Sequence, residues 1–89
     1  MPQRPVVLVT GGARRLGREI ALELAVHGWD VALHYRNSGA EAEATTRDLR
    51  DRGAEARAFA ADLSDEPACR ALVPAVHAHF GRLQAVVNN

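Results

Sequence analysis

Val6-Val7-Leu8-Val9-Thr10-Gly11-Gly12-Ala13-Arg14-Arg15-Leu16-Gly17 governs the fold of this chain. Four consecutive apolar residues describe a strand buried on both faces, and the glycines that follow break it. An amphipathic segment opens at once with Arg18-Glu19-Ile20-Ala21. A buried strand that turns at glycine straight into a helix leaves free backbone N–H groups at the helix start. Together with the positive end of the helix dipole, these groups make a site for a phosphate. Gly11 permits the tight turn out of the strand, and Gly17 permits the helix to lie close to the sheet.

Outward from this turn, strand and helix patterns alternate. A first strand over Pro5 to Thr10 precedes a helix from about Arg15 to His27. Leu16, Ile20 and Leu24 fall four apart on that helix, with Gly17, Ala21 and Ala25 beside them, a mix of large and small suited to a sheet. Gly28 is its expected stop. Trp29 to Tyr35 is the second strand, with Trp29 packing at its start, and Gly39 to Asp51 the second helix. The apolar face of that helix is thin, mainly Ala42 and Leu49, which places it at the edge of the domain. Glu41 and Glu43 near its start and Arg47, Arg50 and Arg52 near its end complement the dipole. After Gly53 comes a third strand, Ala54 to Ala60. Ser64 is the expected N-cap of a third helix, with Pro67 early enough to lose no hydrogen bond. Leu72, Val76 and Phe80 form its buried stripe, Pro74 predicts a kink near Arg70, and Gly81 ends it. Leu83 to Asn88 is the fourth strand. Repeated βαβ units imply a parallel sheet with right-handed crossovers and helices on both faces, a Rossmann-type α/β fold. Its first four strands take the order 3-2-1-4, with the fourth at an open edge.

Composition narrows the function. The chain has 89 residues, 47% of them apolar, and its eleven basic residues balance eleven acids. No basic excess points to nucleic acid, and no apolar run approaches the ~20 residues of a membrane span. Met1 to Pro5 lacks the apolar stretch of a signal peptide, and a lone Cys69 excludes an internal disulfide. A cytoplasmic protein acting on a small-molecule substrate is expected. All eleven basic residues are Arg, and Tyr35 is the one tyrosine.

The end of the second strand selects the dinucleotide. An NAD site places Asp or Glu there for the ribose hydroxyls, whereas an NADP site supplies Arg and small polar groups for the 2′-phosphate. The positions about 20 residues past the glycine turn are Tyr35-Arg36-Asn37-Ser38, with no acid until Glu41. Arg36 offers a two-pronged phosphate contact, and Asn37 and Ser38 add short donors. NADP(H) is the expected cofactor. After the third strand, the carboxylate of Asp62 can accept from an adenine amino group, and the N–H of Leu63 can donate to the ring.

These motifs resemble the short-chain dehydrogenase/reductase family. Thr10, Gly11 and Gly17 keep the frame Thr-Gly-x-x-x-Gly-x-Gly, with Arg15 in the place of the middle glycine. Arg14-Arg15-Leu16-Gly17 and His34-Tyr35-Arg36-Asn37-Ser38 are similar to the pteridine-reductase-like branch. The resemblance implies that Arg15 approaches the diphosphate and the mouth of the substrate pocket; Arg14 is either solvated or shares that role. It also implies that Asp62-Leu63 holds adenine. Asn88 and Asn89 match the start of the family's Asn-Asn-Ala-Gly segment, which braces the sheet and lines the adenosine-ribose side. The complete enzyme would reduce a C=O or C=N bond, in a pteridine for example, with NADPH, and would form a dimer or tetramer. The family's Tyr-x-x-x-Lys proton-transfer pair cannot lie in a chain without Lys, so no catalytic residue is assigned. Residues 1–89 are then the N-terminal NADP-binding half, and the substrate half lies outside them.

Two alternatives share the fold: a non-catalytic NADP-sensing protein, and an NAD-linked epimerase or dehydratase of the extended type. The second would call for an acid at the end of strand two. Other candidate groups have ordinary expectations. His27 ends a helix, His77 and His79 stand two apart and make a poor metal pair, and Cys69 is expected in the core.

Overall fold

In the computed structural model, which describes residues 3–89, Val6–Val9 form β1, every residue of it buried. The remaining elements are α1 (Arg15–Val26), β2 (Asp30–Tyr35), α2 (Gly39–Asp51), β3 (Ala56–Ala60), α3 (Glu66–Phe80) and β4 (Ala85–Val87). All pairings are parallel, and the sheet order is β3-β2-β1-β4. Val7 stands opposite Val31 and Ala85, and Leu33 opposite Ala58. This is the Rossmann-type topology that the alternation implies, with β4 paired on one side only.

The two-residue period of the strands sorts their side chains onto two cores. Val7, Val9, Val31 and Leu33 meet Ala21, Leu22 and Ala25 of α1 and Ala42 and Leu49 of α2. Val6, Leu8 and Ala32 point the other way, onto Leu72, Val76 and Phe80 of α3. Helices therefore cover both faces.

Several local expectations change under tertiary contact. Leu16 is 66% exposed, and the buried line of α1 is Gly17, Ala21, Leu22 and Ala25, with Ile20 and Leu24 packed at its margin. The small residues bring the helix close to the sheet, and Leu16 lies past the sheet's cover. The face of α2 is wider than Ala42 and Leu49, because Thr45 and Thr46 are buried too. Their hydroxyls donate to the carbonyls of Ala13 and Ala42, at 2.7 Å each, so burial leaves neither unsatisfied. The N-cap of α3 is Asp65, not Ser64. The Asp65 carboxylate accepts from the Ala68 N–H at 3.2 Å, while the Ser64 hydroxyl is drawn to Asp62 at 2.6 Å. The helix continues through Pro74 without interruption. Pro74 and Arg70 both lie on its exposed side, where solvent can serve the carbonyl that proline leaves without a donor. Cys69 is exposed rather than in the core, since the contacts of α3 with the sheet begin one turn later at Leu72.

A charged knot closes the amino end of the sheet. Buried Asp30, the first residue of β2, pairs with Arg4 Nε and Arg82 Nη2, each at 2.9 Å, and accepts from the Glu55 N–H at 2.9 Å. Arg82 also donates to the Arg4 carbonyl at 2.9 Å, so one carboxylate ties four segments together. The opposite, carboxyl end of the sheet is left to the glycine turn.

Candidate functional site

At the carboxyl end of β1, Thr10 N–H donates to Val87 of β4 at 3.0 Å, and its hydroxyl accepts from the Asn89 N–H at 2.9 Å. The same hydroxyl lies 3.2 Å from Asn88 Oδ1, to which it donates. Gly11 then reverses the chain at φ +60°, a conformation that glycine adopts without strain. Its N–H donates to His34 Nδ1 at 3.0 Å, and the Gly12 N–H donates to the His34 carbonyl at 3.0 Å. Gly12 is as constrained as its neighbours: a Cβ there would fall 3.2 Å from Leu33 Cγ and nearer still to its Cδ1.

The start of α1 is open to an anion. Its N-cap, Arg14, is extended and makes no side-chain cap, and the first turn holds no acid. The N–H groups there keep their donor capacity, and the helix dipole adds to it. Arg15 stands at φ +56°, the one non-glycine residue at positive φ among the described residues. Gly17 packs against the turn itself: a Cβ would lie 2.7 Å from Asn89 Nδ2 and 2.9 Å from the Gly11 carbonyl carbon. The close approach expected of Gly17 is thus made to the glycine turn and to Asn89, whose Nδ2 also donates to the Gly11 carbonyl at 3.2 Å. A relay behind the turn fixes α2 to it. Arg18 donates to Thr45 at 2.9 Å and to Asp48 at 2.5 Å, and Thr45 donates on to Ala13. The bond from Arg18 holds the Asp48 carboxyl below its ordinary value.

A cavity of about 240 Å³ lies between this turn and the end of β2, lined by Gly11, Ala13, Arg14, Tyr35, Arg36, Asn37 and Ser38. Gly11 and Arg14 of the glycine turn therefore share one pocket with the whole Tyr35-Arg36-Asn37-Ser38 stretch. Arg36 reaches across to Asp62, with Nη2 to Oδ2 at 3.3 Å, and its side chain stays 63% exposed. Asp62 Oδ1 accepts from both the hydroxyl and the N–H of Ser64, at 2.6 and 3.0 Å. These bonds, and after them the charge of Arg36, hold the Asp62 carboxyl below its usual range. Asn88 and Asn89 join the site through Thr10 and Gly11 rather than by lining the cavity. Arg15, Leu16 and Leu63 lie outside its lining, and Arg14 pairs with Glu41 at 3.5 Å on the surface.

Thr45 carries no expectation in the sequence, Gly12 and Ala13 stand there only as part of the glycine turn, and His34 only within the stretch similar to the pteridine-reductase-like branch. The register could have found His34, since Val9 opposite Leu33 places it beside the glycine turn. Among the described residues, no group of three or more His, Cys, Asp or Glu could hold a metal ion. No helix among them is long and apolar enough to cross a membrane. What the site can do is hold an extended polyanionic ligand: N–H donors at one end, a guanidinium and short polar groups at the other.

The model of the short chain dehydrogenase family matches residues 5–89. Among curated proteins, the chain is similar to 3-oxoacyl-(acyl-carrier-protein) reductase of Staphylococcus aureus, 39% identical over 92% of this chain and 33% of that protein. It is 38% identical to pteridine reductase 1 of Leishmania tarentolae, over 99% of this chain and 37% of that one. A dehydrogenase from Burkholderia cenocepacia, solved with bound NADP, superposes with a TM-score of 0.91 at 40% identity, covering 97% of this chain and 34% of that one. The chain spans about a third of the length of the curated relatives it matches.

Proposed function

This chain belongs to the short-chain dehydrogenase family, and we propose that it is the cofactor-binding portion of an NADP(H)-dependent oxidoreductase. The observation that carries the proposal is the composition of the cavity wall: Tyr35, Arg36, Asn37 and Ser38, with no carboxylate in the lining. A site for NAD calls for an acid at this strand end, and a guanidinium with short polar neighbours suits a 2′-phosphate instead. The contact of Arg36 with Asp62 is long, at 3.3 Å, and leaves most of the guanidinium free to make a two-pronged phosphate contact.

The residues fit the rest of the cofactor. The uncapped start of α1, with Gly11, Arg14, Arg15, Leu16 and Gly17 around it, holds the diphosphate. Asp62 and the Leu63 N–H take the adenine, and Asn88 and Asn89 brace the turn beside the adenosine ribose. When bound, NADPH supplies the hydride that reduces a substrate C=O or C=N bond. The chain's own contribution is to bind the cofactor and orient it. The proton-transfer groups and the substrate pocket are assigned to chain outside residues 1–89, in keeping with relatives about three times as long. A pteridine substrate is supported by Arg14-Arg15-Leu16-Gly17, by His34 to Ser38, and by the similarity to pteridine reductase 1. The similarity to a 3-oxoacyl reductase supports a carbonyl substrate. The complete protein is proposed to be a cytoplasmic homo-oligomer.

Titration of the full-length protein with NADP and NAD tests the proposal. Arg36→Ala should weaken NADP by about ten- to a hundredfold, the equivalent of a charge-assisted contact. NAD, which lacks the 2′-phosphate, should bind nearly as before. Equal losses for the two cofactors would refute the assignment.

A further inference from the structure

We infer that His34 is a positioning residue for the cofactor, a neutral imidazole strut that sets Gly11 and, through it, the start of α1. The inference rests on the assignment of this turn to a dinucleotide. His34 is 5% exposed, and both its ring nitrogens bond to backbone beyond other strands. The Gly11 N–H, past β1, donates to Nδ1 at 3.0 Å, and Nε2 lies 2.8 Å from the Ala61 carbonyl, past β3. A peptide N–H can only donate and a carbonyl can only accept, so the ring carries one proton, on Nε2. The His34 carbonyl accepts from the Gly12 N–H, which makes two links from one residue to the turn.

Packing alone does not call for an imidazole here. Even-numbered β2 residues face the α3 side, and the core on that side consists of Val6, Leu8, Ala32, Leu72, Val76 and Phe80. An apolar side chain would suit those surroundings, so the polar ring answers to Gly11 and Ala61. Gly11 is where the strut acts on the site. It lines the cavity, its carbonyl receives Asn89, and Gly17 packs against it. A shift of Gly11 therefore moves the cavity wall and the helix start together. Because His34 takes the Gly11 N–H, the donors left for a diphosphate are those of the α1 start.

Two variants of the full-length protein separate the links. His34→Asn places an amide oxygen where Nδ1 stands, which keeps the acceptor for Gly11 and gives up Ala61. His34→Gln places its amide nitrogen where Nε2 stands, which keeps Ala61 and gives up Gly11. The expected result is NADP affinity within about threefold of the parent for His34→Asn and a loss of about tenfold or more for His34→Gln, with similar falls in melting temperature. Affinity losses that follow stability alike in both, or a greater loss in His34→Asn, would overturn the inference. Should either variant fail to fold, nitrogen NMR of the parent decides. An Nε2-protonated ring with a scalar coupling from the Gly11 amide to Nδ1 supports the strut, and an Nδ1-protonated or doubly protonated ring overturns it. A parent that binds neither NADP nor NAD refutes the cofactor assignment itself, while the NMR result still reports on the strut.

Discussion

Arg15→Gly should make the protein more stable and a poorer binder of its cofactor. Arg15 sits at φ +56° at the start of α1, in the place where the family frame has glycine. An L-residue in the left-handed region carries a strain of roughly 1–2 kcal/mol, which glycine escapes. Glycine in turn has more freedom to lose on folding, which offsets about 0.4–1 kcal/mol of that gain. The Arg15 side chain is exposed, so little packing is lost with it. The net gain is about 0.5–1 kcal/mol, a rise in melting temperature of about 1–4 °C for a protein of ~150–250 residues.

The opposite sign on binding follows from the side chain. If the guanidinium contacts the diphosphate, its removal weakens NADP by about ten- to a hundredfold. Arg15→Ala separates the two effects, because alanine keeps the Cβ and the backbone strain while losing the charge. It should bind as poorly as Arg15→Gly without the gain in stability. Denaturant melts and NADPH fluorescence titrations of the full-length protein and both variants measure this. A glycine variant no more stable than the alanine variant would refute the argument from strain. Unchanged affinity in both would refute the diphosphate contact.

Gly17→Ala should lower stability by about 1–3 kcal/mol and weaken the cofactor too. The new Cβ meets the Gly11 carbonyl and Asn89, 2.7 Å away at Nδ2, and backbone cannot yield as a flexible side chain can; an unchanged urea midpoint would count against this packing. Asp30→Ala strands two guanidiniums, of which Arg82 is only 17% exposed, and should lower stability by about 3 kcal/mol with the NADP selectivity intact. Parallel urea melts and titrations would show a fault here if selectivity changed as well. Asp62 has a folded-state pKa below its unfolded value, so its contribution is present above the ordinary carboxylate range. That contribution is lost as the pH falls through the lowered value, beneath the ordinary carboxylate range. Asp62→Asn should flatten this acid limb in melts taken from pH 7 downward.

The parts of the fold that showed in the sequence depend on neighbours in the chain. Gly39 to Asp51 is bounded by local signals and forms α2 with those ends, and strand–helix alternation with right-handed crossovers leads to the order 3-2-1-4. The departures arise where distant groups compete for a local one. Ser64 has the chemistry of an N-cap, yet Asp62 takes its hydroxyl, and Asp65 caps instead. Leu16 has the spacing of a core residue, but only the strands decide how far along α1 the sheet extends. The site divides the same way. The glycine turn and the Tyr35-Arg36-Asn37-Ser38 wall are continuous motifs, and they face one cavity. The Arg36–Asp62 pair and the His34 links cross between strands, so they depend on register, which no single segment records. A short motif can therefore announce that a phosphate binds, whereas the residues that hold the motif in shape appear only once the strands are side by side.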